Sequence, residues 1–490
     1  MSSSNVLTSH QQKIFDLVIS YIEEKKPTFF FDNKSYKENM ISITGAAGTG
    51  KSYLTMQIVK YLLKKSKDNF EYIFSVTAPT HKAASVLSEL FRKENLPVSA
   101  KTIHSFLNIK PFIDYNTGEE KFKQDHTKSK LESTSILIVD ESSMINSNLF
   151  DIIIDAMKQN RINFVIFVGD YYQLPPVNES ISRVHELPKK FELLEVVRQE
   201  KNNDIITLAN KLRVAIEKSS FPPLEDQLKP YLNNSDNIEF FNNKNDFLED
   251  FYKDKEWYKQ DKILASYTNK NVDSFNRVIR KRYWQERGKN NLPTLVAGDK
   301  LRFNKPYAIN NTTIYSNNAI VTIERAELKY SNELEIQYWD CLEKNSIEQQ
   351  VFRVVEPKSK KVFNDKLRAI ATKAKREKNK VTREKLWAVY YDIRDMFADV
   401  QYIYSMTIHK LQGSTYDDIY IDMFSLLNNR YISLEEKYRY TYVAVTRARK
   451  NAKIFIKNLD SSTLAEQIDT QKEFSRIDSI LKNLKLDNII

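Results

Sequence analysis

Apolar positions along this chain fall into two alternating rhythms. Gln12 to Ile22 repeats at helical spacing behind Thr8 or Ser9, either of which suits an N-cap. Short unbroken apolar runs follow at Met40–Thr44 (MISIT), Tyr72–Ala78 (YIFSVTA), Ser135–Asp140 (SILIVD) and Asn163–Asp170 (NFVIFVGD). Runs this short, apolar at every position and separated by helical patterns, predict strands buried on both faces of a parallel sheet. The rhythm returns at Lys262–Thr268, Asp417–Asp422 and Asn451–Lys457, so two α/β cores are expected.

Two stretches break it. Asn108–Asp125 alternates apolar and polar residues about Asn116-Thr117-Gly118, the pattern of a hairpin. From Gly298 to Val400, strand-like segments give way to a helical stretch. Between Lys358 and Lys385 it carries twelve Lys/Arg against three Asp/Glu.

Composition narrows the class. The 490 residues allow two to four domains, and 41% hydrophobic content is enough for sizeable cores. The net charge of +11 favours a polyanionic partner. The single Cys341 excludes an internal disulfide and a cysteine zinc cluster, and implies a reducing compartment. No apolar run is long enough to span a membrane, and the first ten residues lack a signal-peptide layout, so a soluble cytoplasmic protein is expected.

Glycine is scarce, eight in all, yet three fall between Gly45 and Gly50. The stretch Gly45-Ala46-Ala47-Gly48-Thr49-Gly50-Lys51-Ser52 fits G-x-x-x-x-G-K-[ST] between a buried strand and an amphipathic helix. Backbone N–H groups of such a loop curl around phosphate oxygens, and Tyr53 opens the helix behind them. Lys51 is placed to reach the β- and γ-phosphates and Ser52 to hold Mg²⁺. Asp140, ending a later strand, completes the Mg²⁺ shell, and Glu141 polarises the attacking water. Asp170 and Gln173, past a third strand, stand where a polar group senses the γ-phosphate.

The phosphate loop alone leaves hydrolase, kinase and switch open. The motifs LTSHQQ, GAAGTGKS, TAPTHKAA, TIHSF, DESSM, GDYYQLPPV, VVRQ, TIHKLQGSTYD and YVAVTRA run in order along nearly the whole chain. Together they resemble superfamily 1 helicases of the RecD-like 5′→3′ branch, closest in layout to the Dda-type helicases of phages.

That resemblance implies two RecA-like parallel-sheet cores, at residues 1–107 with 131–200 and at 201–297 with 401–490. It implies a pin hairpin at 108–130, with Phe112 and Tyr115 as wedge aromatics, and an SH3-like β insertion at 298–400 whose basic helical extension covers 358–395. It also implies that Gln11 reads adenine, that Arg198 and Arg447 reach the γ-phosphate, and that Gly413 belongs to the ATP set. Pro79, Thr80, His81 and Lys82 match half of the family's single-strand floor, with Thr102, His104, Ser105 and Phe106 beside them. Thr268, Asn269, Thr407 and His409 match the other half. ATP and Mg²⁺ are then the cofactors, single-stranded and forked duplex DNA the partners, with a single-strand-binding or replication protein as a further candidate partner, and the chain a monomer.

Two departures stand out. Leu411 occupies a position where the family carries serine, and Tyr315–Ala319 (YSNNA) replaces a glycine-containing turn. A translocase that displaces proteins or migrates branches is the alternative. An inactive ATPase scaffold conflicts with the intact Lys51, Asp140, Glu141, Gln173, Arg198 and Arg447, and a small-molecule kinase leaves the second core unexplained.

Overall fold

The computed structural model describes residues 7–25, 36–69, 72–124, 133–176, 179, 181–195, 203–309, 312–344 and 350–457. The chain forms two compact units, Met1–Lys201 with Thr268–Thr415 and Asn202–Tyr267 with Tyr416–Ile490. It is a mixed α/β protein built on two parallel sheets.

In chain order the first unit opens with α1 (Ser9–Lys25), β1 (Met40–Gly45), α2 (Lys51–Asn69), β2 (Phe74–Ala78), α3 (His81–Lys93), β3 (Lys101–Thr102) and α4 (Ile103–Phe106). Hairpin strands β4 (Ile109–Asp114) and β5 (Glu119–Gln124) follow, then β6 (Thr134–Val139), β7 (Ile162–Gly169) and β8 (Lys190–Leu193). Among the described residues, six of these strands pair in parallel in the order β3-β2-β6-β7-β1-β8.

The apolar runs are unbroken because each strand feeds two cores. Ile136 and Ile138 of β6, with Phe164, Ile166 and Val168 of β7, join the layer under α1 and α2. Leu137 and Val139, with Val165 and Phe167, join the opposite layer. Side chains alternate across a strand, so a two-sided core asks for apolar residues at every position.

Between β3 and β6 the hairpin pairs antiparallel from Ile109↔Gln124 to Asp114↔Glu119. Its turn is held from far along the chain by the helices Lys360–Arg376 and Lys380–Asp395. Tyr391 donates its hydroxyl to the Gly118 carbonyl at 2.7 Å, Arg383 reaches the Asn116 side chain at 3.0 Å, and Arg394 pairs with Glu120 at 3.0 Å. Trp387 and Tyr391 pack with Ala374 in a cluster that takes in Ile113 and Tyr115.

The first unit also carries an antiparallel sheet formed by Lys300–Phe303, Ile320–Ser331, Ile336–Glu343, Val351–Val355 and Val400–Tyr402. Its core stacks Phe303 on Tyr315 and encloses Cys341, whose thiol burial pushes up to about 12. The YSNNA turn places Asn318 at φ 65°, a left-handed conformation that asparagine tolerates where glycine is absent. In the second unit, Ile238–Phe241, Lys262–Ser266, Tyr416–Asp422 and Ala448–Phe455 form a parallel sheet. Among the described residues no helix is long and apolar enough to cross a membrane.

Candidate functional site

The glycine-rich loop bridges β1 and α2. Gly48 and Gly50 both sit at φ 83°, where a side chain is strained. Gly45 is needed for space: a Cβ there would lie 2.6 Å from Thr49 Oγ1 and 2.9 Å from Leu193 Cβ. The loop closes on itself. Lys51 donates to the Gly45 carbonyl at 2.7 Å and the Ala46 carbonyl at 2.8 Å, and its ammonium lies 3.8 Å from the Asp170 carboxylate. Thr49 Oγ1 bonds the Ala46 carbonyl at 2.9 Å. Gln11 is buried against the same loop, donating to the Thr49 carbonyl at 2.9 Å and accepting from the Thr8 amide at 3.1 Å. Ser52 is exposed in the first turn of α2, whose N-terminal amides favour an anion.

Asp140 directly follows β6, with its amide bonded to the Thr77 carbonyl at 2.9 Å. Burial, then the neighbouring Glu141 carboxylate, push its carboxyl up to about 7. Glu141 adopts φ 49°, ψ 40°, and its buried Oε2 has no partner among the described residues. That kink is packed from below by Gly169, where a Cβ would lie 2.6 Å from Ser142 Oγ and 3.1 Å from the Ser143 amide. The hydroxyls of Ser142 and Ser143 are buried without a partner among the described residues. In sequence these two serines are marked only by their place beside Glu141. Asp170 and Gln173 are buried past the end of β7, and Asp170 accepts from the Tyr172 amide at 3.0 Å.

This set fits a magnesium nucleotide. The loop has no room for a Cβ at Gly45, a cation and a helix N-terminus face the phosphate position, and a buried carboxyl near neutrality gains from a divalent cation. A pH test follows from the sign of that shift. Above 7 Asp140 is a carboxylate able to bind the cation; below 7 it holds a proton that the cation must displace. The half-saturating Mg²⁺ for hydrolysis is expected to climb by up to about tenfold per pH unit below 7. A flat Mg²⁺ requirement between pH 8 and pH 6 would refute the assignment of Asp140.

The loop Ile408–Leu411 with Gln412 and Gly413 is brought to the same unit's first sheet. Gln412 donates to the Leu174 carbonyl at 3.2 Å, and Gly413, at φ 71°, approaches Ala83 and Thr80 of the α3 start. Leu411 is fully buried, which explains why an apolar residue is tolerated where the family carries serine. Lys410 donates to Asn304 at 2.6 Å, and burial lowers its ammonium. Gln412, intact beside Gly413 in the TIHKLQG motif, is the residue of this loop that bonds the Leu174 segment.

The nucleic-acid candidates occupy strand ends. Thr80, Thr102 and Thr268 each cap a helix, accepting from Ala83, Ser105 and Asn271 amides at 3.2, 3.1 and 3.1 Å. Thr407 holds the matching position before Ile408–Leu411 without a side-chain cap bond. Pro79 precedes the first cap; His81, Lys82, Ser105 and Asn269 are exposed. His104 and His409 are half-buried, and burial lowers both imidazoles, so they are neutral donors or acceptors near neutral pH.

Two aromatic expectations need correction. Phe106 is a core residue, 1% exposed, packed with Ile103 and Leu107, and has no face for a base. Tyr115 packs into the Trp387 cluster at the hairpin turn rather than standing forward as a wedge. Phe112 is 43% exposed, and so is Phe122 at 50%, lying 5.9 Å from the His104 ring. Phe122 was missed because it reads in sequence as one apolar position of an alternating strand. Arg447 is buried, with Nε unpartnered among the described residues, and Arg198 lies outside them.

Comparison with known proteins matches residues 32–179 to an AAA domain and residues 402–454 to a UvrD-like helicase C-terminal domain. The chain is 27% identical over 475 residues to the ATP-dependent DNA helicase dda of Enterobacteria phage T4, covering 90% of this chain and 98% of that protein. It is 25% identical over 484 residues to the uncharacterized protein R530 of Acanthamoeba polyphaga mimivirus, covering 84% and 94%. A crystal structure of Pif1 helicase from Candida albicans aligns at 17% identity with a TM-score of 0.46, covering 96% of this chain and 99% of that one.

Proposed function

We propose that this chain, a superfamily 1 ATP-dependent DNA helicase of the Pif1, RecD and Dda type, tracks 5′→3′ along single-stranded DNA and unwinds the duplex ahead. The observation that carries this reading is the clamped hairpin, in the same unit as an intact phosphate loop. A motor that only walks needs no braced hairpin, whereas one that splits base pairs needs a wedge that does not yield. The domain limits given above are retained as part of this proposal, with RecA-like cores and an SH3-like insertion.

In this reading Gly45 to Tyr53 cradle the triphosphate, Lys51 leaves the two carbonyls for the β- and γ-phosphates, and Gln11 reads the adenine edge. Ser52 and Asp140 would hold Mg²⁺, which when bound would supply charge neutralisation for the transferred phosphoryl. Glu141 orients the attacking water, with Gln173, Arg198 and Arg447 as γ-phosphate residues. Gln412 on Leu174 ties the loop bearing Thr407 and His409 to the segment bearing Gln173, a direct route from nucleotide state to strand grip. Melting a base-pair step costs about 1.4 kcal/mol of stacking, so a rigid wedge is enough if the motor supplies the steps.

The test is unwinding of forked DNA carrying a single 5′ or a single 3′ tail, with hydrolysis followed in parallel. Strand separation from the 5′-tailed fork alone is expected. Hydrolysis stimulated by single strands without separation of either fork would establish the translocase instead.

A further inference from the structure

Away from the phosphate loop, the first unit contains a cavity of about 1040 Å³ beside the helix Asn269–Gln285, closed on its other side by the antiparallel sheet and the segment Glu356–Lys360. Five bases line it against two acids. Its floor is fixed: Arg280 is held by Asp299 through two bonds of 2.8 and 2.7 Å and stacks over Tyr402. Of the two acids, Glu356 is fixed by hydrogen bonds from Thr294 at 2.8 Å and from the Trp339 indole, and Asp273 is exposed.

Against these two acids stand four exposed cations, Arg277 and Lys281 on one wall and Lys358 and Lys360 on the other, none with an ion pair among the described residues. Gln401 adds an amide nitrogen that is buried on this lining without a partner among the described residues. Like charges gathered round one concavity repel each other, and the arrangement gains most from an anion that several can share. The position indicates which anion. Arg277 and Lys281 lie about two and three turns along the helix that Thr268 caps and Asn269 begins, one turn apart from each other, with Asp273 one turn before Arg277. Twelve residues of helix cover about 18 Å, a span of a few nucleotides.

We propose that this cavity is a second phosphodiester site, which takes single-stranded nucleic acid continuing past Thr268 and Asn269. It rests on the helicase reading and lengthens its footprint. Recognition is through phosphates and independent of sequence, because the walls present cations rather than base-reading pairs. The basic stretch after Lys358 thereby divides: Lys358 and Lys360 face this cavity, while Trp387 and Tyr391 farther on brace the hairpin.

The experiment uses the full chain and oligothymidylates from about 6 to about 20 nucleotides, a range bracketing ordinary single-strand site sizes. Binding is measured across salt for the wild type, for Arg277→Gln with Lys281→Gln, and for Lys358→Gln with Lys360→Gln. Short oligomers are expected to bind all three proteins equally and to stimulate their hydrolysis equally. Long oligomers are expected to bind the wild type about tenfold more tightly than either variant, with a salt slope steeper by about 1.4 for two lost contacts. Arg277→Lys with Lys281→Arg should restore both, which separates lost charge from lost fold. Wild-type slope and wild-type length dependence in both variants would overturn the proposal, as would displacement of the extra affinity by free ATP in place of competing oligomer. Failure of short oligomers to stimulate wild-type hydrolysis would instead count against the helicase reading, while the salt slopes still judge the cavity.

Discussion

Replacing Lys51 by alanine is expected to lower ATP hydrolysis about 10³-fold while oligonucleotide binding stays within about twofold. The ammonium is the only side-chain cation on the loop itself, and removing one preorganised donor at a transferring group costs two to three orders of magnitude. Binding should survive because the capped strand ends do not depend on Lys51; the residue's own contacts are to Gly45, Ala46 and Asp170. Steady-state hydrolysis and anisotropy with a labelled oligomer measure both. Unaltered turnover would remove the loop from the reaction altogether. One structural effect should accompany the loss. Without Lys51, the Gly45 and Ala46 carbonyls lose their charged donor and Asp170 loses its nearby cation, so the loop opens.

The second large effect concerns the hairpin. Trp387→Ala is expected to cut unwinding of forked duplex by about 10- to 100-fold, the scale of loss when a working group is displaced by about an ångström. Single-strand-stimulated hydrolysis should stay within about twofold. Trp387 is 2% exposed and presses directly on the turn, where a Cβ on Gly118 would lie 2.0 Å from its ring. Truncating a buried tryptophan costs about 3–5 kcal/mol, here concentrated at the brace. Tyr391→Phe is the milder companion, removing only the bond to the Gly118 carbonyl. Equal loss of unwinding and hydrolysis in Trp387→Ala would mean the helices support the motor and not the hairpin.

These two sites show what the sequence could and could not disclose. The phosphate loop was legible because its demands are local: glycines at positive φ and a lysine just inside a helix occupy eight consecutive residues. The parallel sheets were legible because strands serving two cores are apolar throughout. Phe106 misled because a motif fixes a residue's place in the chain while burial fixes what its ring can touch, and its ring fills the layer with Ile103 and Leu107. Tyr115 misled for the complementary reason. Its neighbours Trp387 and Tyr391 lie more than 270 residues away, a separation no periodicity spans. The cavity cations were likewise invisible, being split between a helix after Thr268 and a turn near Lys358.

That same distance has a bearing on biosynthesis. The Asn116–Arg383 bond joins residues 267 positions apart, and the first unit is assembled from two stretches with Asn202–Tyr267 spun out between them. The ribosome therefore delivers the hairpin long before its brace exists. Contacts of such long range are slow to form, and incomplete intermediates expose apolar surface. Ile113 and Tyr115 would then meet solvent or chaperone first and their final neighbours Trp387 and Tyr391 last. A chain cut short before Lys380 should accordingly be far more prone to aggregate during expression than one carrying the whole helix pair.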